Sequence, residues 1–511
     1  MAAASPRYPP RALRRALVFV VVALVAVIGV YADLHRDISL DEGFALETAR
    51  RPIGEALDRA VRYEAQAPLY FAALQLWLSA GAALGVPDPL VWARLLSTAC
   101  VVLALLAVHR ASQLADPDGR GPDAALLLAP VPLVLWAASE ARNYALTLLL
   151  VALLAWQWMR VWGVAVARPA TGAAVYALLA LLSVVTFYYS GFVVAGLFVG
   201  ALLLGRRRAS VLAHLGLGLA LLPLLPTVRE QAALHAPYAA APPAREALAL
   251  VAGARGLVGA LFLGLPNFLN APLIGTLLAV AAGGLVLSWV APRASWRRLD
   301  SALLVAALLP TLPLLVLRGW ALAPVEPRHW TPMIVVPALV LATLLGRAPR
   351  ARVAGIASVA ALLLLGIAGV RFLQGCVRGC VDRWRDAAAF VDARERPGEP
   401  ILVFSPYGEL QFRHAYAGRN PVRGIPRDDP WTGPELAPLV AQPGVDDAAR
   451  FGAAMDAAVR GAPAFWLVRW FAADEDRQVV PALDSALAAR GVVSLRRSFS
   501  GGPLSGDLEV A

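Results

Sequence analysis

Short clusters of ionisable and aromatic residues interrupt an otherwise apolar chain. They are Asp41-Glu42, Glu64 with Gln66, Glu140 with Arg142, Asn143 and Tyr144, the pair Tyr188-Tyr189, and Arg318, Glu326, Arg328 and His329. A carboxylate held beside a hydroxyl can take up or orient its proton. A guanidinium pairs in bidentate fashion with carboxylate or phosphate oxygens. Each group also has a structural reading. Asp41 suits a helix N-cap or a solvated loop, and Glu140 with Arg142 suits an interfacial ion pair. His329 suits a hydrogen-bonded packing position, and Tyr188-Tyr189 an aromatic belt. What favours chemistry is that one topology brings all of them to the same side.

That topology follows from composition. The chain has 511 residues, 59% of them hydrophobic and 16% charged, with a mean hydropathy of +0.64. A soluble domain is about a quarter charged, so the expected class is an α-helical polytopic membrane protein. Apolar runs of membrane-spanning length recur to about residue 370. The leader with Arg7, Arg11, Arg14 and Arg15 should stay cytoplasmic, and the first span (about 16–33) exits. A polar loop over about 34–66 follows. The stretch 68–85 is expected to lie at the outer surface as a juxtamembrane helix carrying Tyr70, Phe71 and Trp77. Further spans are expected near 90–108, 123–139, 145–161, 172–188, 191–205, 209–226, 271–290, 300–317, 330–346 and 353–370, about eleven in all. Basic clusters such as Arg206-Arg207-Arg208 then fall on the inner face. The ionisable and aromatic clusters from Asp41 to His329 fall on the outer face, where ionisable groups at membrane depth are functional candidates.

The net charge of +11 comes entirely from arginine, since the sequence contains no lysine. The excess lies in residues 1–370, where loop Arg sets topology, and no basic stripe suggests nucleic acid. From residue 371 onward charge rises and apolar runs shorten. Arg383–Arg394 and Asp484–Arg490 read as helices. Pro400–Phe404, Ala464–Val468 and Val492–Phe499 read as strands. Together they predict a small extracytoplasmic α/β domain over 371–511, following a membrane domain over 1–370. Cys100 reads as inert packing. Cys376 and Cys380 fit either a local disulfide, if that region is extracytoplasmic, or two free thiols.

Several stretches, taken in order, resemble the protein mannosyltransferase-like superfamily, GT-C glycosyltransferases that include the aminoarabinose transferases of lipid A. They are Asp41-Glu42, Gln66-Ala67-Pro68-Leu69-Tyr70-Phe71, Arg94-Leu95-Leu96-Ser97, Glu140-Ala141-Arg142-Asn143-Tyr144-Ala145-Leu146, Thr186-Phe187-Tyr188-Tyr189 and Pro327-Arg328-His329-Trp330. Three positions depart from the family's usual residues: Gln66-Ala67 before the proline, Phe187 after Thr186, and His329 after Arg328. Arg383-Trp384-Arg385-Asp386 with Ile401-Leu402-Val403 is similar to the tail domain of bacterial members.

The resemblance implies a GT-C fold and a sugar donor carried on a polyprenyl phosphate at the outer leaflet. The acceptor would be a protein, lipid or glycan. It implies Asp41 as the essential carboxylate and matches Glu140 to the family's acidic residue after the third span; as catalytic residues, Asp41 is the expected base and Glu140 would position Arg142 or the acceptor. Glu42, Gln66, Arg142, Tyr144, Tyr188, Arg328 and His329 would contact substrate. No cofactor is required, because arginine can supply positive charge, although a divalent metal remains compatible. The implied location is a bacterial inner membrane. Two other readings compete: a lipid or solute transporter, which would need broken helices and midplane charges, and a non-catalytic scaffold whose tail binds a partner.

Overall fold

A computed structural model of the protein describes residues 11–163, 169–205, 207–235, 298–310, 313, 327–347, 352–378, 382–404, 406–425, 447–459, 461–471, 480–491, 493–500 and 507–510. It contains two compact units. One comprises Met1–Leu34 with Thr48–Leu373, and the other His35–Glu47 with Gln374–Ala511.

The first unit is helical. Helix α1 (Arg11–His35) contains the first expected span. The acidic segment expected as a loop is instead built into two helices, α2 (Leu40–Ala49), most of which belongs to the second unit, and α3 (Ile53–Arg62). The local reason is plain for α3: Pro52 precedes it, Glu55 lies in its first turn and Arg59 and Arg62 in its last, matching the helix dipole. Ala56 and Ala60, one turn apart, are buried. Helix α4 (Leu69–Ala83) matches the expected juxtamembrane element. It is fixed to α5 (Pro89–Ala115) by two stacked indoles, Trp77 and Trp92, with centroids 4.5 Å apart. Each indole N–H donates to the other's backbone carbonyl, at 2.7 and 2.8 Å.

Helix α5 runs beyond the expected end of its span, through His109 to Ala115. Asp88 caps it by accepting from Leu90 N and Val91 N, and Pro89 occupies its first turn. The expected continuous span 123–139 is broken into α6 (Ala124–Leu128) and α7 (Pro132–Ala138). Pro130 and Pro132 account for the break: proline cannot donate to a helix, and Val131, just before Pro132, is extended (φ −66°, ψ 118°). Helices α8 (Asn143–Trp158), α9 (Pro169–Thr186) and α10 (Ser190–Leu203) follow at the expected places. Helix α11 (Arg207–Leu221) continues through a 3-10 turn into α12 (Leu225–His235), nine residues past the expected span end at 226. Its leucines 212, 215, 219, 222 and 225 are exposed, a surface suited to hydrocarbon. The expected span 271–290 lies outside the described residues. Helices α13 (Arg298–Leu308), α14 (Val335–Arg347) and α15 (Arg352–Arg378) complete the unit.

Five of the described helical segments are long and apolar enough to cross a membrane, including Pro89–Ala115 and Gly355–Gln374. Helices α5 and α8 pack on one another at the centre, as do α10 and α13. The second contact depends on Gly196 and Gly200. A Cβ on either would collide with the carbonyl oxygens of Ala306 or Ala302, so small residues at four-residue spacing let the backbones approach.

The second unit is an α/β domain. Its sheet has the order β2-β1-β3-β5-β4, formed by β1 (Ile401–Phe404), β2 (Val422–Gly424), β3 (Trp466–Phe471), β4 (Arg497–Ser500) and β5 (Asp507–Val510). Strand β1 pairs in parallel with β2 and β3, while β5 runs antiparallel to β3 and β4. All four residues of β1 are buried, the unbroken apolar run of a strand covered on both faces. Leu402, Phe404, Phe451, Met455, Leu467 and Leu483 form one core. Trp384, from helix α16 (Trp384–Asp392), packs against Trp470. Strands β2 and β5 are short and were not expected. Helix α17 (Glu409–Ala415) follows β1.

Candidate active site

The acidic segment is organised by a capping box. Ser39 Oγ accepts from Glu42 N at 3.3 Å, and Glu42 Oε2 accepts from Ser39 N at 3.0 Å. The pattern Ser-x-x-Glu satisfies two amides that a helix start leaves open. Ser39 is therefore the cap of α2, and Asp41 sits one turn-position inside it. There a carboxylate is favoured by the helix dipole. Glu42 is buried and also meets Arg36, with Nη2 3.0 Å from Oε2 and both side chains at most 1% exposed. Its neighbour Asp41 is half-buried. The two acids thus differ in environment: Glu42 is tied to the local frame, and Asp41 is carried by it.

The other expected site residues lie in the helical unit. The turn between α7 and α8 is held by Glu140, whose backbone oxygen accepts from Ser97 Oγ at 2.7 Å and from Arg142 N at 2.8 Å. The Glu140 and Arg142 side chains are buried. Arg142 Nη1 lies 3.5 Å from Glu64 Oε2, with exposures of 6% and 4%. Glu64 Oε1 accepts from Thr48 Oγ1 at 3.0 Å. Glu64 stands where the chain turns from α3 to α4, next to Ala65, a non-glycine residue at φ +49°. That left-handed position is costly for a residue with a Cβ, and it sets Glu64 and Gln66 on the turn. Gln66 offers its backbone oxygen to Gln231 Nε2 at 3.3 Å.

A row of rings links three turns at the same end of the helices. Tyr144 lies between Trp136 (centroids 4.8 Å) and Phe187 (5.9 Å). His329, in the 3-10 turn Pro327–Met333, stacks on Tyr189 at 4.9 Å with planes 10° apart. Phe187 contacts both Tyr189 and His329. Arg328 precedes His329 and its backbone oxygen accepts from Thr331 Oγ1 at 2.7 Å. Tyr188 stands in the turn between α9 and α10, and burial raises its phenol above the ordinary tyrosine range. Arg318 and Glu326 lie outside the described residues.

The helical unit thus brings Glu140, Arg142, Tyr144, Tyr188, Arg328 and His329 to one end. Asp41 and Glu42 belong to the other unit. Two contributors carry no distinguishing signal in the sequence. Glu64 emerges as the carboxylate facing Arg142; a buried guanidinium demands such a partner. Tyr189, rather than Tyr188, stacks on His329. The opposite end of α5 carries a separate cluster: Asp123 Oδ2 lies 2.7 Å from His109 Nδ1 and 3.3 Å from Arg14 Nε. Among the described residues, no three His, Cys, Asp or Glu side chains gather in a metal-holding group. Cys100 is buried and free. The Cys376–Cys380 pair lies outside the described side chains.

Architecture places the chain in a class. It is a multi-pass helical membrane protein of the GT-C fold, with an α/β unit among the residues after α15. One solved structure of similar fold is ArnT from Cupriavidus metallidurans in the apo state, at a TM-score of 0.50 and 14% identity, covering 97% of this chain and 98% of that one. The same protein bound to undecaprenyl phosphate aligns equally, at 0.50 and 13% identity over 96% and 97%. An oligosaccharyltransferase from Archaeoglobus fulgidus aligns at 0.45 and 13% identity, over 88% of this chain and 68% of that one. No family model and no curated protein matches the sequence.

Proposed function

We propose that the protein is a glycosyltransferase that moves a sugar from a polyprenyl-phosphate donor to an acceptor on the extracytoplasmic face of a bacterial inner membrane. The observation that carries this reading is the buried, carboxylate-held guanidinium of Arg142 in a chain whose fold matches ArnT nearly end to end. ArnT has been crystallised with undecaprenyl phosphate, which supports a lipid phosphate as the donor's carrier here.

In this scheme the acceptor hydroxyl oxygen attacks the anomeric carbon as the bond from that carbon to the donor phosphate oxygen breaks. Asp41 takes the hydroxyl proton. The phosphate leaves on its lipid, and the anomeric configuration inverts. General-base assistance of this kind contributes about 10²–10⁴-fold. Arg142 and Arg328 bind the phosphate, whose departing charge a guanidinium stabilises. Glu64 holds Arg142 in one orientation. Glu140 orders the turn that carries it, through Ser97. Gln66, Tyr144, Tyr188 and His329 contribute to substrate contact. Arginine supplies the positive charge, so the scheme does not call for a metal.

The test is incubation of purified protein with a polyprenyl-phosphate sugar and envelope acceptors. Release of polyprenyl phosphate with transfer of label supports the reading; binding without consumption sinks it. One observation favours a transporter instead: the proline-imposed break between α6 and α7, since transporters use discontinuous helices. Movement of intact donor across vesicles, without cleavage, would establish that alternative.

A further inference from the structure

The segment that carries Asp41 forms a compact unit with the C-terminal domain, not with the helices that flank it in sequence. The contact is specific. Arg385, in the first turn of α16, places Nε 3.0 Å from Asp37 Oδ1 and donates its backbone N–H to Asp37 Oδ2 at 3.3 Å. Its Nη2 donates to the backbone oxygen of Arg36 at 3.4 Å. Arg36 in turn holds Glu42, and Glu42 closes the capping box that starts α2. A second patch of the domain meets the same segment. Tyr407 stands edge-on to Phe44 with centroids 6.2 Å apart. A Cβ on Gly43 would come within 3.0 Å of Gln411 Nε2, in helix α17. Gln411 is wholly buried, and its amide nitrogen and oxygen meet no hydrogen-bond partner among the described residues. The domain therefore grips residues 36–44 on both sides of Asp41.

We propose that the C-terminal domain is a working part of the transfer machinery, and that Arg385 is a positioning residue which sets Asp41 through Asp37, Arg36 and Glu42. The inference rests on the reading of Asp41 as the base. A carboxylate shifted by about an ångström loses catalytic efficiency on the order of a hundredfold. Binding of the donor, assigned to residues of the helical unit, should be untouched.

The experiment uses the full-length protein in detergent or nanodiscs. In Arg385→Ala and Asp37→Ala, kcat for sugar transfer should fall roughly tenfold to a hundredfold, with KM for the polyprenyl-phosphate sugar unchanged. The double variant should be no slower than either single one, because both remove the same contact. Gly43→Val, which pushes α17 off the segment without altering charge, should reproduce the loss. Arg490→Ala, which breaks a surface pair with Asp456 elsewhere in the domain, should retain wild-type kcat. Hydrogen exchange supplies an arm independent of activity: amides of residues 38–46 should exchange faster in Arg385→Ala while β1 and β3 stay protected. Unchanged exchange in that segment, a wild-type kcat, or multiplying losses in the double variant would each overturn the proposal. A wild-type protein that transfers no sugar, yet shows the segment released in Arg385→Ala, would count against the glycosyltransferase reading and leave the grip itself established.

Discussion

Arg142 and Glu64 form an ion pair 3.5 Å apart, both side chains almost fully withdrawn from solvent. They stand 78 positions apart in the chain and share the pair with Thr48, which donates to the other carboxylate oxygen. Removing one partner of a buried pair strands the other charge and costs about 3–5 kcal/mol. Glu64→Gln should therefore lower the thermal midpoint and weaken polyprenyl-phosphate binding together. Arg142→Lys should keep the charge but lose the planar fork, and with it much of the donor affinity. Calorimetry and a lipid-phosphate binding assay read the two effects. An unaltered affinity in Arg142→Lys would remove Arg142 from phosphate recognition.

The two acids of α2 should separate by phenotype. Asp41→Asn should reduce transfer about 10²–10⁴-fold with a normal melting profile. Glu42→Gln should act first on stability, because it loosens the capping box and the Arg36 pair together; the cap alone is worth about 1 kcal/mol. Measured turnover and unfolding temperature for both variants decide the matter. Near-normal turnover in Asp41→Asn would take Asp41 out of the mechanism.

Tyr189 and His329 stack with planes 10° apart. Aromatic pairs of this kind contribute about 0.5–1.5 kcal/mol beyond the area they bury. Tyr189→Phe preserves the stack and should leave transfer near wild type. Tyr189→Ala should free the turn bearing Arg328 and raise the donor KM several-fold. Equal kinetics for the two variants would mean that the stack does not position Arg328.

Acid sensitivity of the C-terminal domain should include a contribution from Asp456. Hydrogen bonds from Arg490, both at 2.8 Å, hold its carboxyl below the usual value of 3.8. A carboxyl depressed on folding stabilises the folded state fully above its unfolded pKa, and that contribution disappears as pH falls through the lower, folded value. Asp456→Asn should therefore flatten the domain's stability profile below about pH 4, with little change near neutrality. The pair is exposed, so the effect should be small and screened by salt. Unfolding followed by tryptophan fluorescence across that range is the measurement.

Much of this protein is decided locally and can be read along the chain. Apolar run lengths place α1, α5, α8, α9 and α10, because a helix that crosses hydrocarbon must satisfy its own backbone and span a fixed thickness. The prolines at 130 and 132 already contain the break between α6 and α7. The four-residue pattern from Ser39 to Glu42 contains the start of α2, since a capping box involves only neighbours. The buried run Ile401–Phe404 announces β1. Tertiary structure alone decided the rest. Nothing in sequence order links Glu64 to Arg142, Tyr189 to His329, or Arg385 to Asp37, which lies 348 positions away. Short strands such as β2 and β5 have too few residues to show a period and exist because a neighbouring strand completes their hydrogen bonds. The segment around Asp41 is continuous with α1 yet forms one unit with the distant C-terminal domain. Periodicity reports what a residue does within its own helix or strand; which charges and rings meet is fixed by how those elements pack.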